Sequence, residues 1–479
     1  MTILRASEGT PVPVSFCAEA DRRIILWAAI LASSMGFIDS SVTSIATPAM
    51  RAALGASLQE AQWINAAYLL SLSALVLVGG AAGDRFGIAR IFSLGILIFV
   101  GGSLACAAAL TPEQMIAARA VKGVGAALMV PGSMAMVSRA YPRAERGRAL
   151  GLWAAASTLT TALGPVLGGM FVTWGGEIGW RLVFALNLPL GLAALWLIRG
   201  RTPGDIGKPG VRVDLPGAGL ATLGLGLMAW VLTEATAPAW VALAALASLA
   251  GFLIWESLAP APMLRLGLFR NRVFAVTNLV TFVLYFALNG VMFYLPMTAV
   301  SAWKVTPLEV TAAFLPISIL IGVLSAPAGR MADRWGAGPL MATGSALVAA
   351  AYAGLWVFAP LGAFWSHVVP CTALAGLGLG LVVAPLTAAA MQGAEDGEQG
   401  AASGVNNAVA RVAGLIAIAL QGRIAATAYG TGAPGFGITG DTPAHLAATG
   451  AAFGAVALTA SLMAALAAVL ALLVARPVR

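Results

Sequence analysis

The chain has 479 residues, of which 60% are hydrophobic and 10% charged, with a mean hydropathy of +0.91 and a formal net charge of +8. Soluble domains carry about 25% charged residues, so this composition leaves no room for a soluble domain of useful size. The basic excess is scattered over short loops between apolar runs, which excludes a nucleic-acid surface and fits the charge bias that orients membrane proteins. The three cysteines, Cys17, Cys106 and Cys371, fall in the N-terminal tail and in two apolar runs, so neither a disulfide nor a metal site is expected.

The first twenty or so residues contain prolines and are weakly apolar, unlike a signal peptide. Arg22-Arg23 is followed by a long span instead of a short export core, which argues against a twin-arginine signal. Apolar runs of about 20 residues, enough to span a bilayer, begin near Ile24, Ala61, Ile91, Met115, Ala149, Arg181, Leu215, Ala239, Val273, Leu308, Met341, Ala363, Gly404 and Ala448. Fourteen spanning helices are therefore predicted, which puts both termini on one side. If that side is the cytoplasm, the inner loops collect Arg85, Arg90, Arg139, Arg143, Arg146, Arg148, Arg199, Arg201, Lys208, Arg212, Arg265, Arg270, Arg272, Arg330 and Arg334. The tails included, about twenty of the basic residues fall inside and about four outside, as the positive-inside rule requires. The acidic stretch from Glu395 to Gln399 is also assigned inside, where acidic residues weigh little.

Two loops share one pattern, Gly-x-x-x-Asp-Arg-x-Gly. It reads Gly80, Asp84, Arg85 and Gly87 after the second span, with Gly83 within it, and Gly329, Asp333, Arg334 and Gly336 after the tenth. Two related six-helix halves would separate these loops by six spans, so two helices are in surplus. The expected organisation is a tail at 1–23, a first bundle at 24–200, two inserted helices at 213–258, a second bundle at 273–475 and a tail at 476–479. Such internal repeats are typical of secondary transporters, with substrate held between the halves.

Further motifs carry a family resemblance. Asp39-Ser40-Ser41-Val42-Thr43-Ser44-Ile45-Ala46-Thr47-Pro48 lies in the first span, with Trp63 and Tyr68 in the second. Arg119-Ala120-Val121-Lys122-Gly123-Val124-Gly125-Ala126-Ala127 opens the fourth, and Gly164, Pro165, Gly168 and Gly169 lie in the fifth. Trp180-Arg181, Phe184, Asn187, Pro189 and Gly191 mark the sixth, and Arg411 the thirteenth. Over nearly its full length the chain resembles the major facilitator superfamily, and within it the fourteen-helix drug:proton antiporters. It departs from their usual pattern at Ser41 and Ser44 in the first helix, at Lys122 where the fourth-helix motif has Gln, and at Thr160 where the fifth-helix motif has Gly.

At a rise of 1.5 Å per residue, Asp39 lies about 22 Å from the cytoplasmic end of its helix. Arg119 is a few residues into a helix entering from outside, hence at similar depth. An ionisable residue inside a membrane is a functional candidate by default. A carboxyl that moves between burial and the reach of a guanidinium changes its hold on a proton. Three readings of Asp39 stand: proton coupling with Arg119, a structural ion pair, or direct substrate binding. Lys122, one turn from Arg119 on the same face, either pairs with a carboxylate or snorkels, or it lines the pathway. Two cations facing a cavity would disfavour cationic drugs and favour neutral or anionic compounds. Further cavity candidates are Trp63, Asn65, Tyr68, Asn289, Asn406 and Arg411, with lipid contact the alternative for Trp63 and Tyr68.

The repeated loop reads as a latch for alternating access or as a plain structural turn. In it, Asp84 and Asp333 would hold helix N-termini and pair with Arg85, Arg90 or Arg334. Pro165 and its glycines allow bending and close packing, a pattern that accompanies export in the resembled family. His445 reads as a loop residue and His367 as a polar helix end.

The expectation is an all-α, multi-pass protein of the bacterial inner membrane with the major facilitator fold. It would export a small amphipathic drug, antibiotic or metabolite by proton-coupled alternating access. Its expected partners are substrate, protons and the lipid bilayer, with no cofactor, no metal and no nucleic acid, and the working unit is taken as a monomer. The rivals are an uptake carrier of the same fold, a membrane enzyme acting on lipid, and a transport-dead sensor. The enzyme reading lacks a nucleophile, a metal cluster or paired carboxylates at one interface, and the sensor reading lacks a soluble output domain.

Overall fold

A computed structural model of the chain describes residues 16–208, 210–234, 236–392, 399–431 and 434–474. Most of the N-terminal tail, the acidic residues at 395–398 and the C-terminal tail lie outside these. Fourteen helices are long and apolar enough to cross a membrane. In the first half they are α1 (Arg22–Leu54), α2 (Leu58–Phe86), α3 (Ile88–Ala108), α4 (Pro112–Ala140), α5 (Arg143–Trp174) and α6 (Gly176–Ile198). Next come α7 (Leu215–Thr233) and α8 (Ala239–Leu258). The second half holds α9 (Arg272–Ser301), α10 (Pro307–Trp335), α11 (Ala337–Phe358), α12 (Phe364–Gln392), α13 (Gln399–Tyr429) and α14 (Pro443–Ala471). Lipid cannot satisfy backbone N–H and C=O groups, so each span closes its hydrogen bonds internally. There is no strand among the described residues.

The repeat is visible in how α2 and α10 begin and end. Ser57 and Glu60 form a reciprocal capping box at the start of α2, and Thr306 and Glu309 form the same box at the start of α10. At the other ends, Gly87 (φ +103°) and Gly336 (φ +87°) adopt a backbone conformation that L side chains avoid. One offset separates Ser57 from Thr306 and Gly87 from Gly336.

In the first half α4 packs against α2 and α3, and α1 against α5 and α6. In the second, α12 packs against α10 and α11, and α14 against α9 and α11. The pair α7–α8 packs against itself, with α7 resting on α2 and α13. The first half meets the second chiefly where α5 touches α10, α2 touches α13 and α1 touches α9.

These meetings concentrate at the end of the bundle away from the termini. There Leu308 N–H donates to Thr173 Oγ1 at 3.1 Å. Gln62 Nε2 donates to the Tyr294 hydroxyl and to the Ile418 carbonyl, both at 2.8 Å. Arg51 ties the end of α1 to the Phe436 carbonyl in the α13–α14 loop. Towards the termini one side of α5 stands uncovered, with Gly151, Leu152, Ala154 and Ala155 all exposed, while Ala149 and Trp153 pack on α1. Val323 of α10 is 64% exposed. On that face α2 and α13 stay in touch at Leu77 and Gly404, so the gap between the halves opens along α5 and α10.

The first Gly-x-x-x-Asp-Arg-x-Gly turn differs from the expectation that Asp84 caps a helix and pairs with Arg85 or Arg90. The cap is Asp205, from the loop between α6 and α7. Its carboxylate accepts Ile88 N–H at 2.8 Å and Ala89 N–H at 2.7 Å, and sits 3.4 Å from Arg90 N. These are donors that a helix start leaves without partners. Asp84 instead faces Arg139 at 3.8 Å, and its carbonyl accepts Lys208 N–H at 2.8 Å. Gly87 makes room for the cap, because a Cβ there would lie 2.7 Å from Asp205 Oδ2. Gly80 and Gly83 lie on α2 before the turn, and Arg85 projects over Phe86. At the second turn the residue before α11 is Gly336, which has no side chain to cap the helix. Asp333 and Arg334 are exposed, and Gly329 lies in the α10 stretch preceding Gly336.

Two outcomes follow. Asp205→Ala should speed amide hydrogen exchange at residues 88–90 and cost about 1 kcal/mol, as loss of a helix cap does, with Asp205→Asn in between. Gly123→Val puts a side chain where a Cβ already lies 2.6 Å from the Tyr68 carbonyl oxygen. Overpacking of this kind costs roughly 1–3 kcal/mol and should lower the thermal unfolding midpoint in detergent, whereas Gly101→Ala, with nothing nearby, should leave it unchanged.

Candidate functional site

Close approach of the first four helices creates a dry, charged site. Gly123 of α4 lies against the backbone of α2 at Tyr68, Gly125 against that of α3 at Phe99, and Gly102 of α3 against the backbone of Lys122. Small residues let helices touch this closely. The contacts hold Arg119 and Lys122, one turn apart, against α1 at the level of Asp39.

Arg119 Nη1 donates to Asp39 Oδ2 at 2.7 Å, and Lys122 Nζ donates to Asp39 Oδ1 at 2.5 Å. Arg119 Nε donates to the Ile64 carbonyl on α2 at 3.0 Å. Asp39 and Arg119 are 1% exposed and Lys122 is 0% exposed. Aromatic faces complete the enclosure: Tyr68 lies 4.4 Å from the guanidinium, and Phe99 and Phe184 lie 4.6 and 4.8 Å from the ammonium. The site holds one anion and two cations. Burying such charges is tolerated only when each is paired and hydrogen-bonded. Of the two readings of Lys122, the geometry has the carboxylate partner, and in this conformation the residue faces no cavity.

The other cavity candidates separate into groups. Tyr68 is buried beneath Arg119. Asn65 is buried and its Nδ2 lies 3.4 Å from Thr47 Oγ1. Trp63 packs with Ala66, Ala229 and Leu415, wedged among α2, α7 and α13. Asn289 is half-buried and donates to the Tyr285 carbonyl at 2.8 Å, and Asn406 donates to Thr281 Oγ1 at 2.8 Å. Arg411 is half-buried, donates to Asn407 Oδ1 at 2.9 Å and lies within electrostatic reach of Tyr68 across the gap. A line of groups thus runs from Asp39 through Arg119 and Tyr68 to Arg411 in the second half.

The fifth-helix motif lies between that cluster and the opposite half. Gly164 packs on Ile38 and Ser41 of α1, and Gly168 on Val42, so both flank Asp39. Gly169 faces away, where a Cβ would lie 2.7 to 2.8 Å from Thr311, Leu308 and Pro307 of α10. Pro165 is buried beside them, and α5 runs through it without a break.

Several working residues were not among the site candidates of the sequence, although Arg181 belongs to its sixth-helix motif. Arg181 Nη1 donates to the last carbonyls of α3, Ala107 at 2.6 Å and Ala109 at 2.7 Å. Such carbonyls have no partner within their own helix, so the Trp-Arg pair of the sixth helix fastens α6 to α3. Gln62 and Tyr294 form the far junction described above. His445 is not a loop residue: it sits in the first turn of α14, buried, with Nδ1 2.7 Å from the Tyr429 hydroxyl. Among the described residues no cluster of three or more His, Cys, Asp or Glu side chains could hold a metal.

Comparison with known proteins agrees with this architecture. Residues 29–418 match the model of the Major Facilitator Superfamily. The chain is 32% identical to a methylenomycin A resistance protein of Bacillus subtilis over 81% of this chain and 84% of that one. It is 29% identical to a tetracenomycin C resistance and export protein of Streptomyces glaucescens, over 84% and 77% of the two chains. A bacterial homologue of the human lysosomal transporter Spinster, solved in an inward-facing, unoccupied conformation, superposes with a TM-score of 0.69 at 14% identity, covering 95% of this chain and 97% of that one. The chain belongs to the Major Facilitator Superfamily and is a multi-pass membrane transporter of small molecules, not an enzyme acting on lipid.

Proposed function

We propose that this transporter exports a small amphipathic compound in exchange for protons, with the buried Asp39–Arg119–Lys122 cluster as its coupling element. The observation that carries the reading is the position of α5. One edge of its Gly-Pro motif presses on α1 at Ile38, Ser41 and Val42, around Asp39, and the other presses on the first turn of α10. A change of charge in the cluster alters how α1 sits against α5, and α5 forms the seam with the opposite half. One proton crossing 100 mV supplies about 2.3 kcal/mol, enough for a roughly 50-fold substrate gradient.

Orientation follows from the loop charges. With both termini in the bacterial cytoplasm, the inner loops carry most of the arginines. The uncovered face of α5 and α10 then opens inward, and the seam at Thr173, Gln62 and Arg51 closes the outside. The two bundles, 24–200 and 273–475, rock about that seam, and the helices of 213–258 ride along it. The repeated turns at Gly87 and Gly336 act as the latches of this movement, the first reinforced by Asp205. A single chain contains the whole pathway, so the working unit is a monomer.

The compound class follows from charge. Arg411 borders the gap, and among the described residues it is bonded only to Asn407. The sole carboxylate of the buried cluster is already held by two cations. Neutral or anionic compounds suit such a lining better than cations. The relatives named for methylenomycin A and tetracenomycin C place antibiotics among the first compounds to try.

Expression in an efflux-deficient host, followed by sensitivity profiling over antibiotics that include those two, identifies the substrate. In everted vesicles, energisation should then drive accumulation, and an uptake carrier would do the reverse. Asp39→Asn should collapse a roughly 50-fold energised gradient while leaving substrate counterflow intact. Proton-driven transport retained by Asp39→Asn rejects the cluster as the coupling element.

A further inference from the structure

The cluster has an unequal charge count, and this decides which of its atoms can exchange a proton. With every group ionised it carries one negative and two positive charges, held out of water by Tyr68, Phe99 and Phe184. Adding a proton to Asp39 would leave two adjacent cations with no anion. Removing one from Lys122 would leave a neutral site: the Asp39–Arg119 ion pair with an amine that still donates an N–H to Asp39 Oδ1. Isolated charge in a dry site is the costly state, so the change that lowers the net charge is favoured over the one that raises it. Arg119 does not supply that proton, because a guanidinium stays protonated in proteins whereas a buried lysine readily changes its charge.

We propose that Lys122 is the group that releases and regains the coupling proton, while Asp39 and Arg119 remain a fixed ion pair. This rests on the cluster being the coupling element and names the atom within it. In a conformation that admits water to the cluster, the ammonium gives H+ to that water and becomes an amine; recapture restores the ammonium. No other bond changes. Each packed helix contributes its own neighbours to Lys122. Asp39 lies on α1, Cys106 and Phe99 on α3, Arg119 on its own helix and Phe184 on α6, while Tyr68 of α2 lies against Arg119. Among the described residues Asp39 is the only carboxylate bonded to Arg119 or Lys122. Where the resembled antiporters carry Gln at this position, no such exchange exists, so the device belongs to this chain.

The sequence makes the test unusually clean, because Lys122, Lys208 and Lys304 are its only lysines against 24 arginines. Lys208 lies in the loop between α6 and α7, and Lys304 lies half-exposed before α10. The full chain, labelled with 13C at the lysine ε-carbons and placed in lipid nanodiscs without ligand, should give three resonances. The expected result is that one of them shifts from the charged to the neutral position as the pH is raised to 9, while the other two stay charged. Lys122→Gln should remove the shifting resonance. If that variant does not fold, Lys208→Arg and Lys304→Arg assign the remaining signals by elimination. Asp39→Asn should move the Lys122 transition to lower pH by about one unit or more, which a purely structural lysine remaining charged throughout would not show. A Lys122 resonance that stays at the charged position through pH 9 overturns the proposal. If Asp39→Asn abolishes energised export and Lys122 does not titrate, the cluster remains the coupling element but Lys122 is not its carrier. If Lys122 titrates while Asp39→Asn exports normally, it is the coupling role of the cluster that fails.

Discussion

One fully buried carboxylate accepting from two cations is the constraint around which the first half is built. Each Asp39 oxygen takes one donor, Arg119 at 2.7 Å and Lys122 at 2.5 Å. Neither cation has an exposed route to solvent in this conformation. A cluster like this is stable only if the helices that carry it are close enough to exclude water. That requirement explains why Gly102, Gly123 and Gly125 stand where α2, α3 and α4 meet. Small residues and buried charge are here one design: the first lets the backbones touch, and the touching backbones keep the second dry.

The same logic extends outward through α5. Its glycines face opposite ways, Gly164 and Gly168 towards Asp39 and Gly169 towards α10. The helix is thus in backbone contact with both partners, and little soft side-chain packing intervenes to absorb a displacement. Beyond the contact with α10, the halves are fastened at the far end by Gln62, Tyr294 and Arg51. Towards the termini, α5 is covered by α1 on one side and exposed on the other.

Much of the architecture was legible because it follows from local rules. Apolar runs set the fourteen spans, and the repeated Gly-x-x-x-Asp-Arg-x-Gly exposed the duplication. Helix rise alone brings Asp39 and Arg119 to one level, and the close packing of the first four helices turns that shared depth into an ion pair. The rest depends on distant segments meeting. Asp205 lies in a loop with no motif, and nothing near it in the chain reveals that its carboxylate reaches residues 88–90; Asp84, inside the motif, drew the assignment instead. Lys122 admitted two readings because helical spacing gives a face but not what lies opposite. Trp63 looked like a cavity residue until α7, an insertion with no counterpart in the repeat, proved to pack beside it. His445 precedes the apolar run that begins near Ala448 and so reads as a loop residue, whereas Thr442 and Pro443 start α14 directly before it.

The inserted pair breaks the symmetry of the two halves in one further respect. Two seams run along the molecule between them, one at α2 and α13 and one at α5 and α10, and α7 lies over the first alone. A compound dissolved in the bilayer therefore finds one flank shielded by an extra helix and the other bare. The flank where the Gly-Pro helix stands lacks that extra layer.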